Sequence, residues 1–206
     1  MSTLRQVIRQ RRSIRKYSPR SVPMDALGEI LSAAAWAPSA HNSQPWRFIV
    51  LTDASAKRKL AEHMAEAWLR DLEKDGVSTF TAQSHAKASV ERFTRAPVLV
   101  VACITMEDMD CYPDKKRQNS ERDLALHSLA AAVQNLLLAA HAEGLGACWY
   151  CTPAFCQEEV RKALGIPKDV EPQALVAVGY PAENPSTPRR KPLRDVAFMD
   201  CWGKPF

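Results

Sequence analysis

The stretch Pro97–Ile104, PVLVVACI, constrains this chain more than any other. Eight uncharged, mostly apolar residues, several of them β-branched, suit a strand buried on both faces. Such a strand implies a layered domain, with other elements packed on each side of its sheet.

The remaining periodicities supply those elements. A short helix reads at Thr3–Arg11, followed by a loop marked by Pro19 and Pro23. A second helix spans about Met24–Ala37, with Leu27, Ile30, Leu31 and Ala34 on one face, and Pro38 ends it. Trp46–Thr52 reads as a strand. Ala54–Lys74 is a helix in which Leu60, Met64, Trp68 and Leu72 recur every four residues before Gly76 stops it. Ser78–Arg95 is polar and ambiguous between helix and loop. A loop over 107–119 precedes the longest helix, Ser120–Glu143, with Ser120 as its N-cap. Ala147–Cys151 is a strand, and Thr152-Pro153 opens a helix that runs to Leu164 and closes at Gly165. Ala174–Tyr180 is the last strand. The proline-rich segment 181–206 has no periodicity and must lie across a surface, its own or a partner's. With about four strands alternating with helices, no repeats and no linker, 1–206 reads as one domain, α+β or α/β, three-layered around a central mixed sheet.

The long helix contains an uncharged run, Leu124–Ala140, shorter than the roughly 20 residues a membrane span requires. It reads as a core helix, and no membrane association is expected. Arg5, Arg9, Arg11 and Arg12 break any apolar signal core near the start, so a cytoplasmic setting with reduced cysteines is expected. The net charge of +5 is too small to argue by itself for nucleic acid.

Three stretches carry candidate chemistry. In RRSIRKY, Arg11, Arg12, Ser13 and Arg15 sit where a helix gives way to a loop, and guanidinium forks match phosphate oxygens. In APSAHNSQPW, Asn42 and Gln44 carry donors and acceptors suited to a heterocycle edge. In EGLGACWYCTP, Gly144 and Gly146 allow close backbone approach, and Thr152-Pro153 opens a helix with free N–H groups. The glycines do not make a dinucleotide fingerprint, because Trp149 stands where its last glycine would be, and no Walker sequence occurs. Cys148 and Cys151, a CxxC pair, lie on the strand before the cap signal and read as inert core thiols. The histidines do not gather with Cys156 at a zinc spacing, and no metal is expected. Trp36, Trp46, Trp68 and Trp149 read as core or interface residues.

In this order and spacing, RRSIRKY, APSAHNSQPWRF, the alanine-rich helix ending in GLGACWY, then GYPAENP and PRRKPL resemble the FMN-dependent nitroreductase family over Arg11 to about Val196. The resemblance implies the three-layer α+β fold of that family and a homodimer with FMN at its interface, its C-terminal tail crossing to the partner. It implies that Arg11, Arg12, Ser13 and Arg15 hold the phosphate, ribityl chain and pyrimidine edge, and that Arg190, with Arg189 beside it, closes on the phosphate. Pro38, Ser39, Asn42 and Gln44 would come from the other subunit, and the backbone at Cys151 and Thr152 would face flavin N5. Many relatives have Glu-Gly at those two positions and a lysine where Pro188 stands. The implied activity passes hydride from NAD(P)H through flavin N5 to a small organic acceptor by a ping-pong mechanism, with no catalytic side chain.

Further stretches, AEAWLRDLEKDG, CYPD and VEPQALVAVGY, are similar to the flavin-binding C-terminal domain of the enzyme that matures the deazaflavin coenzyme. That similarity implies a deazaflavin coenzyme or its precursor as substrate. A flavin-cleaving or dehalogenating activity is a further alternative. A basic nucleic-acid module is the reading from another class, and it lacks aromatics interleaved with its charges apart from Tyr17.

Overall fold

The computed structural model describes residues 3–206. Helix α1 (Leu4–Gln10) starts in a capping box: the Thr3 hydroxyl accepts from the Gln6 N–H, and the Gln6 side chain accepts from the Thr3 N–H at 2.7 Å. Helix α2 (Met24–Ala35) buries Leu27, Ile30 and Ala34. Strand β1 (Trp46–Leu51) leads to α3 (Ala54–Lys74), capped by Asp53, whose Oδ1 accepts from the Ala56 N–H at 2.8 Å. The ambiguous segment is α4 (Thr79–Arg95), capped by Ser78. Then follow β2 (Val98–Thr105), α5 (Lys115–Ala142), β3 (Gly146–Tyr150), α6 (Thr152–Phe155), α7 (Gln157–Leu164) and β4 (Val170–Gly179).

All eight residues of β2 are buried. Val98, Val100, Ala102 and Ile104 enter one core with α2 and α5; Leu99, Val101 and Cys103 enter a second with α3, Phe93 of α4, and α7. The period-two alternation of a strand thus divides one apolar run between two layers. The sheet order is β1-β2-β4-β3. Every neighbouring pair is antiparallel, so the expected mixed sheet is corrected, its parallel component being one bridge between Ser13 and Ala147. Between β2 and β4 the register slips at Ala102/Cys103, beside Pro172, which has no N–H to give a ladder.

Two other expectations are corrected. Helix α5 starts at Lys115, not near Ser120, because Asp114 caps it by accepting the Arg117 N–H at 3.0 Å. Ser120 lies inside the helix, and its hydroxyl donates back to Lys116 O at 3.1 Å. The single helix expected from Thr152 to Leu164 is broken at Cys156 (φ −142°, ψ 48°), which turns its side chain into the second core. Its thiol donates to Thr152 O at 3.3 Å. Cys151, not Thr152, holds the N-cap position of α6.

Among the described residues α5 is the one helix long and apolar enough to cross a membrane, yet Ala125, Leu129, Val133, Leu136 and Ala140 from it sit in the first core. Burying an aliphatic side chain contributes about 1.5–3 kcal/mol, so core packing accounts for its apolar stripe.

Gly179, at the end of β4, lies against two neighbours. A Cβ there would stand 2.7 Å from Pro97 Cγ and 2.9 Å from Tyr17 Cδ1. Gly179→Ala therefore overpacks the junction and lowers stability by about 1–3 kcal/mol. Urea denaturation measures this; an unchanged midpoint would show that the ring of Pro97 yields freely.

Candidate active site

After α1 the chain runs as a strap over the ends of β3 and β4. Ile14 N–H donates to Ala147 O at 3.1 Å, Ser18 N–H to Tyr180 O at 2.9 Å, and Ala182 N–H to Lys16 O at 3.0 Å. The Tyr17 hydroxyl lies 2.5 Å from Ile14 O and 3.0 Å from Ala177 O. Burial, first, and then Tyr150 push its pKa up, so it stays a neutral phenol. Glu183 fastens the strap from the tail side: its Oε1 accepts the N–H groups of Arg15 at 2.5 Å and Lys16 at 3.0 Å.

Arg11 and Arg12, adjacent in sequence, have different environments. Arg12 Nη1 donates to Arg9 O at 2.7 Å and Arg11 O at 2.8 Å, and Nη2 donates to the Thr187 hydroxyl. Arg11 Nε is buried without a hydrogen-bond partner among the described residues. Both arginines line a cavity of about 200 Å³ with His141, Gly144, Gly146 and Glu183. Ser13 holds the neighbouring bridge to β3 through its backbone. Arg189 and Arg190 are exposed; Arg190 Nη1 donates to Arg189 O at 3.3 Å, and neither lines this cavity. The Arg12–Thr187 bond nonetheless brings the start of their segment to the strap.

The amide turn is built differently. Pro38 and Ser39 lead into a 3-10 turn at Ala40–Asn42, tied to α5 where Ala40 N–H donates to Ser128 Oγ at 3.2 Å. Gln44 N–H donates to Ser39 Oγ at 3.1 Å. His41, Asn42 and Gln44 have positive φ of 55°, 54° and 48°, a region non-glycine residues seldom occupy. The turn does not line the cavity beside the strap.

Cys151 and Thr152 line a second, larger cavity of about 620 Å³, with Trp68, Arg92, Phe93 and Phe155. The inert-core reading of the CxxC pair holds for Cys148, which is buried, and fails for Cys151, which is exposed just beyond β3. All six cysteines are free thiols. Of the tryptophans, Trp46 is buried, Trp149 is half-buried with Nε1 unpaired, Trp68 stacks on His85 at 5.8 Å, and Trp36 is exposed. Tyr150 meets Phe93 edge-on at 5.1 Å, and its buried hydroxyl has no hydrogen-bond partner among the described residues. Arg92, Glu183 and His141 were not singled out from sequence. Only Glu183 sits in a quoted motif, GYPAENP; the other two lie within helices whose pattern reports packing alone.

This architecture, an antiparallel sheet between helical layers with a basic strap across one sheet end, defines an α+β fold with its candidate site at the strap. The nitroreductase family profile matches residues 8–180. NADH dehydrogenase of Thermus thermophilus is 33% identical, over 92% of this chain and 92% of its own. A BluB-like flavoprotein from Clostridium difficile superposes with a TM-score of 0.79 at 25% identity, covering 97% of this chain and 99% of its own. A protein classed as a nitroreductase from Desulfovibrio desulfuricans, crystallised in complex with FMN, superposes at 0.73 with 30% identity, covering 98% and 99%. The chain belongs to the nitroreductase family and is an oxidoreductase.

Burial, first, and then the charges of Arg11 and Arg12 hold His141 below the usual histidine pKa of 6.5. The folded state therefore favours the neutral ring, and the unfolded chain binds the extra proton as pH falls through about 6.5. Stability is fully present above that pH and declines below it. His141→Gln flattens this decline; denaturation midpoints at pH 7.5 and 5.5 measure it, and parallel losses in both proteins would remove His141 from the site's electrostatics.

Proposed function

We propose that this chain is a cytoplasmic, homodimeric FMN oxidoreductase that draws hydride from NAD(P)H and reduces a small organic acceptor by a ping-pong mechanism. The acceptor class is a nitroaromatic, a quinone or a conjugated double bond. The observation that carries the reading is Arg11 Nε, a buried donor left unpaired beside a cavity it shares with Arg12. A buried donor without an acceptor costs about 1–3 kcal/mol, and an FMN phosphate oxygen would offset that cost. The residues present fit the group: guanidiniums face a small cavity, the backbone around it is fixed, and 30% identity links the chain to a protein crystallised with FMN.

When bound, FMN accepts and donates hydride at N5. Arg11 supplies the free donor to the phosphate. Arg12 adds charge while its Nη groups keep the strap and the tail together, and Ser13 orders the backbone between them. Arg190, with Arg189, closes from the tail, the direction set by the Arg12–Thr187 bond. Arg15, its own N–H fixed by Glu183, would serve the pyrimidine edge. Arg92, which lines the larger cavity with Cys151 and Thr152, adds positive potential there, which would favour an anionic reduced ring. The backbone of Cys151 and Thr152, which lines the larger cavity, would face N5. Replacing Glu-Gly there leaves main-chain donors in place. Pro38, Ser39, Asn42 and Gln44 line neither the strap cavity nor the larger one and would serve the site of the second copy, where the crossing tail would also lie. Nicotinamide and acceptor would enter the site in turn. All six cysteines being free accords with a reducing compartment.

The purified protein is expected to be yellow and to bleach on anaerobic addition of NADH or NADPH. Removing one charge-assisted donor costs about 1.5–3 kcal/mol, so Arg11→Ala is expected to weaken FMN binding about 10- to 150-fold. Flavin fluorescence titration measures it, with circular dichroism to check the fold. Wild-type protein that takes up no FMN would end the functional reading; unchanged affinity in the variant would end the phosphate assignment alone.

A further inference from the structure

Away from both cavities, three side chains from separate stretches converge. His41 comes from the 3-10 turn, Asp110 from the β2–α5 connection, and Glu121 from α5. Their ligand atoms all lie within 4.8 Å of one another. His41 Nε2 stands 3.5 Å from Glu121 Oε1 and 3.8 Å from Asp110 Oδ2. Both distances exceed a working hydrogen bond. They resemble the edge of a coordination tetrahedron instead: an ion about 2.0–2.2 Å from each donor separates two donors by about 3.3–3.6 Å.

Glu121 adds a second, independent observation. Its side chain is only 4% exposed. A carboxylate at that depth normally has a cation and a full set of hydrogen bonds. Here Oε1 accepts one N–H, from Asp110 at 3.3 Å, and Oε2 accepts none among the described residues. No described lysine or arginine forms an ion pair with it; its neighbours in the cluster are the His41 ring and a second carboxylate, Asp110. The acid is therefore buried, under-compensated and aimed into the cluster, while the His41 and Asp110 side chains, 51% and 58% exposed, leave the outer side open to water.

We propose that His41, Asp110 and Glu121 bind one divalent transition-metal ion of the zinc class, with water completing the shell. One imidazole and two carboxylates are the donor set of borderline ions, and three protein ligands with an open position are the pattern of an accessible site. The ion neutralises Glu121 and ties the turn between Ser39 and Gln44 to α5. The triad lines neither cavity of the single chain, but His41 shares its turn with Asn42, which the proposed function assigns to the second copy's FMN, so zinc and FMN binding are measured separately.

The test is equilibrium dialysis of the full-length protein, pre-treated with EDTA, against micromolar Zn²⁺, with bound metal counted by atomic emission. One zinc per chain is expected. His41→Ala removes an exposed ligand and is expected to weaken binding at least tenfold with unchanged circular dichroism; Glu121→Gln does the same by removing the buried charge. Cys111→Ser, next to Asp110 but outside the triad, retains wild-type affinity. Cobalt-loaded protein shows ligand-field bands without thiolate-to-metal charge transfer. Absence of bound zinc, equal affinity in His41→Ala, or a thiolate charge-transfer band would each overturn the proposal. Protein that binds zinc and no FMN would leave this site standing while refuting the flavin reading.

Discussion

The burial of β2 on both faces is the constraint from which the rest of the molecule follows. Its even residues hold α2 and α5 on one side, and its odd residues hold α3, α4 and α7 on the other. Antiparallel pairing then decides which loops meet. Trp46 pairs with Ile104, and Thr105 N–H donates to Pro45 O at 2.9 Å, so the turn before β1 and the connection after β2 emerge at the same edge. That is why His41 and Asp110, nearly seventy positions apart, become neighbours. At the opposite sheet end Val98 pairs with Val178 and Gly146 with Gly179, and the strap of residues 11–18 is fastened there. One apolar strand thereby sets the positions of both groups of candidate ligands.

What the sequence made legible follows from the same physics. The α3 limits and the burial of β2 could be read directly, since unbroken periodicity and unbroken apolarity report packing without help from tertiary context. The start of α5 could not, because its first turns, KKRQN, are solvated and carry no apolar stripe. The break at Cys156 was equally hidden: no glycine or proline marks it, and it exists because one thiol packs into the second core. Burial, first, and then Glu159 and Asp71 raise that thiol's pKa to about 11, in keeping with a packing role. The strand directions were also beyond a one-dimensional reading, since strand pairing depends on connections and not on composition.

The candidate site shows the same division. RRSIRKY drew attention to the strap, but sequence could not rank its arginines. In the structure Arg12 is committed to two carbonyls and Thr187, whereas Arg11 keeps a buried donor free. Glu183, an acid inside a basic region, looks unfavourable on paper. Its carboxylate receives two backbone N–H groups, which fixes the strap and leaves the guanidinium of Arg15 directed elsewhere. A charge can thus serve a like-charge-hungry site by holding its main chain, and that role appears only when distance along the sequence has been erased by folding.

The proposed division of ligands between copies would have a thermodynamic consequence. On the proposed assembly, the strap cavity and the amide turn act on one FMN only when two chains associate. Cofactor binding and dimerisation are then linked, each strengthening the other by the same free energy. The exposed apolar side chains of Trp36, Phe155, Leu193 and Trp202 represent surface that association would remove from water. Their burial would supply the drive for assembly, while the flavin and its charged ligands would supply the geometry. The positive φ at His41, Asn42 and Gln44 belongs to the same account. Backbone held in that region before the partner arrives presents its amides already ordered, so association need not bear the entropy of arranging them.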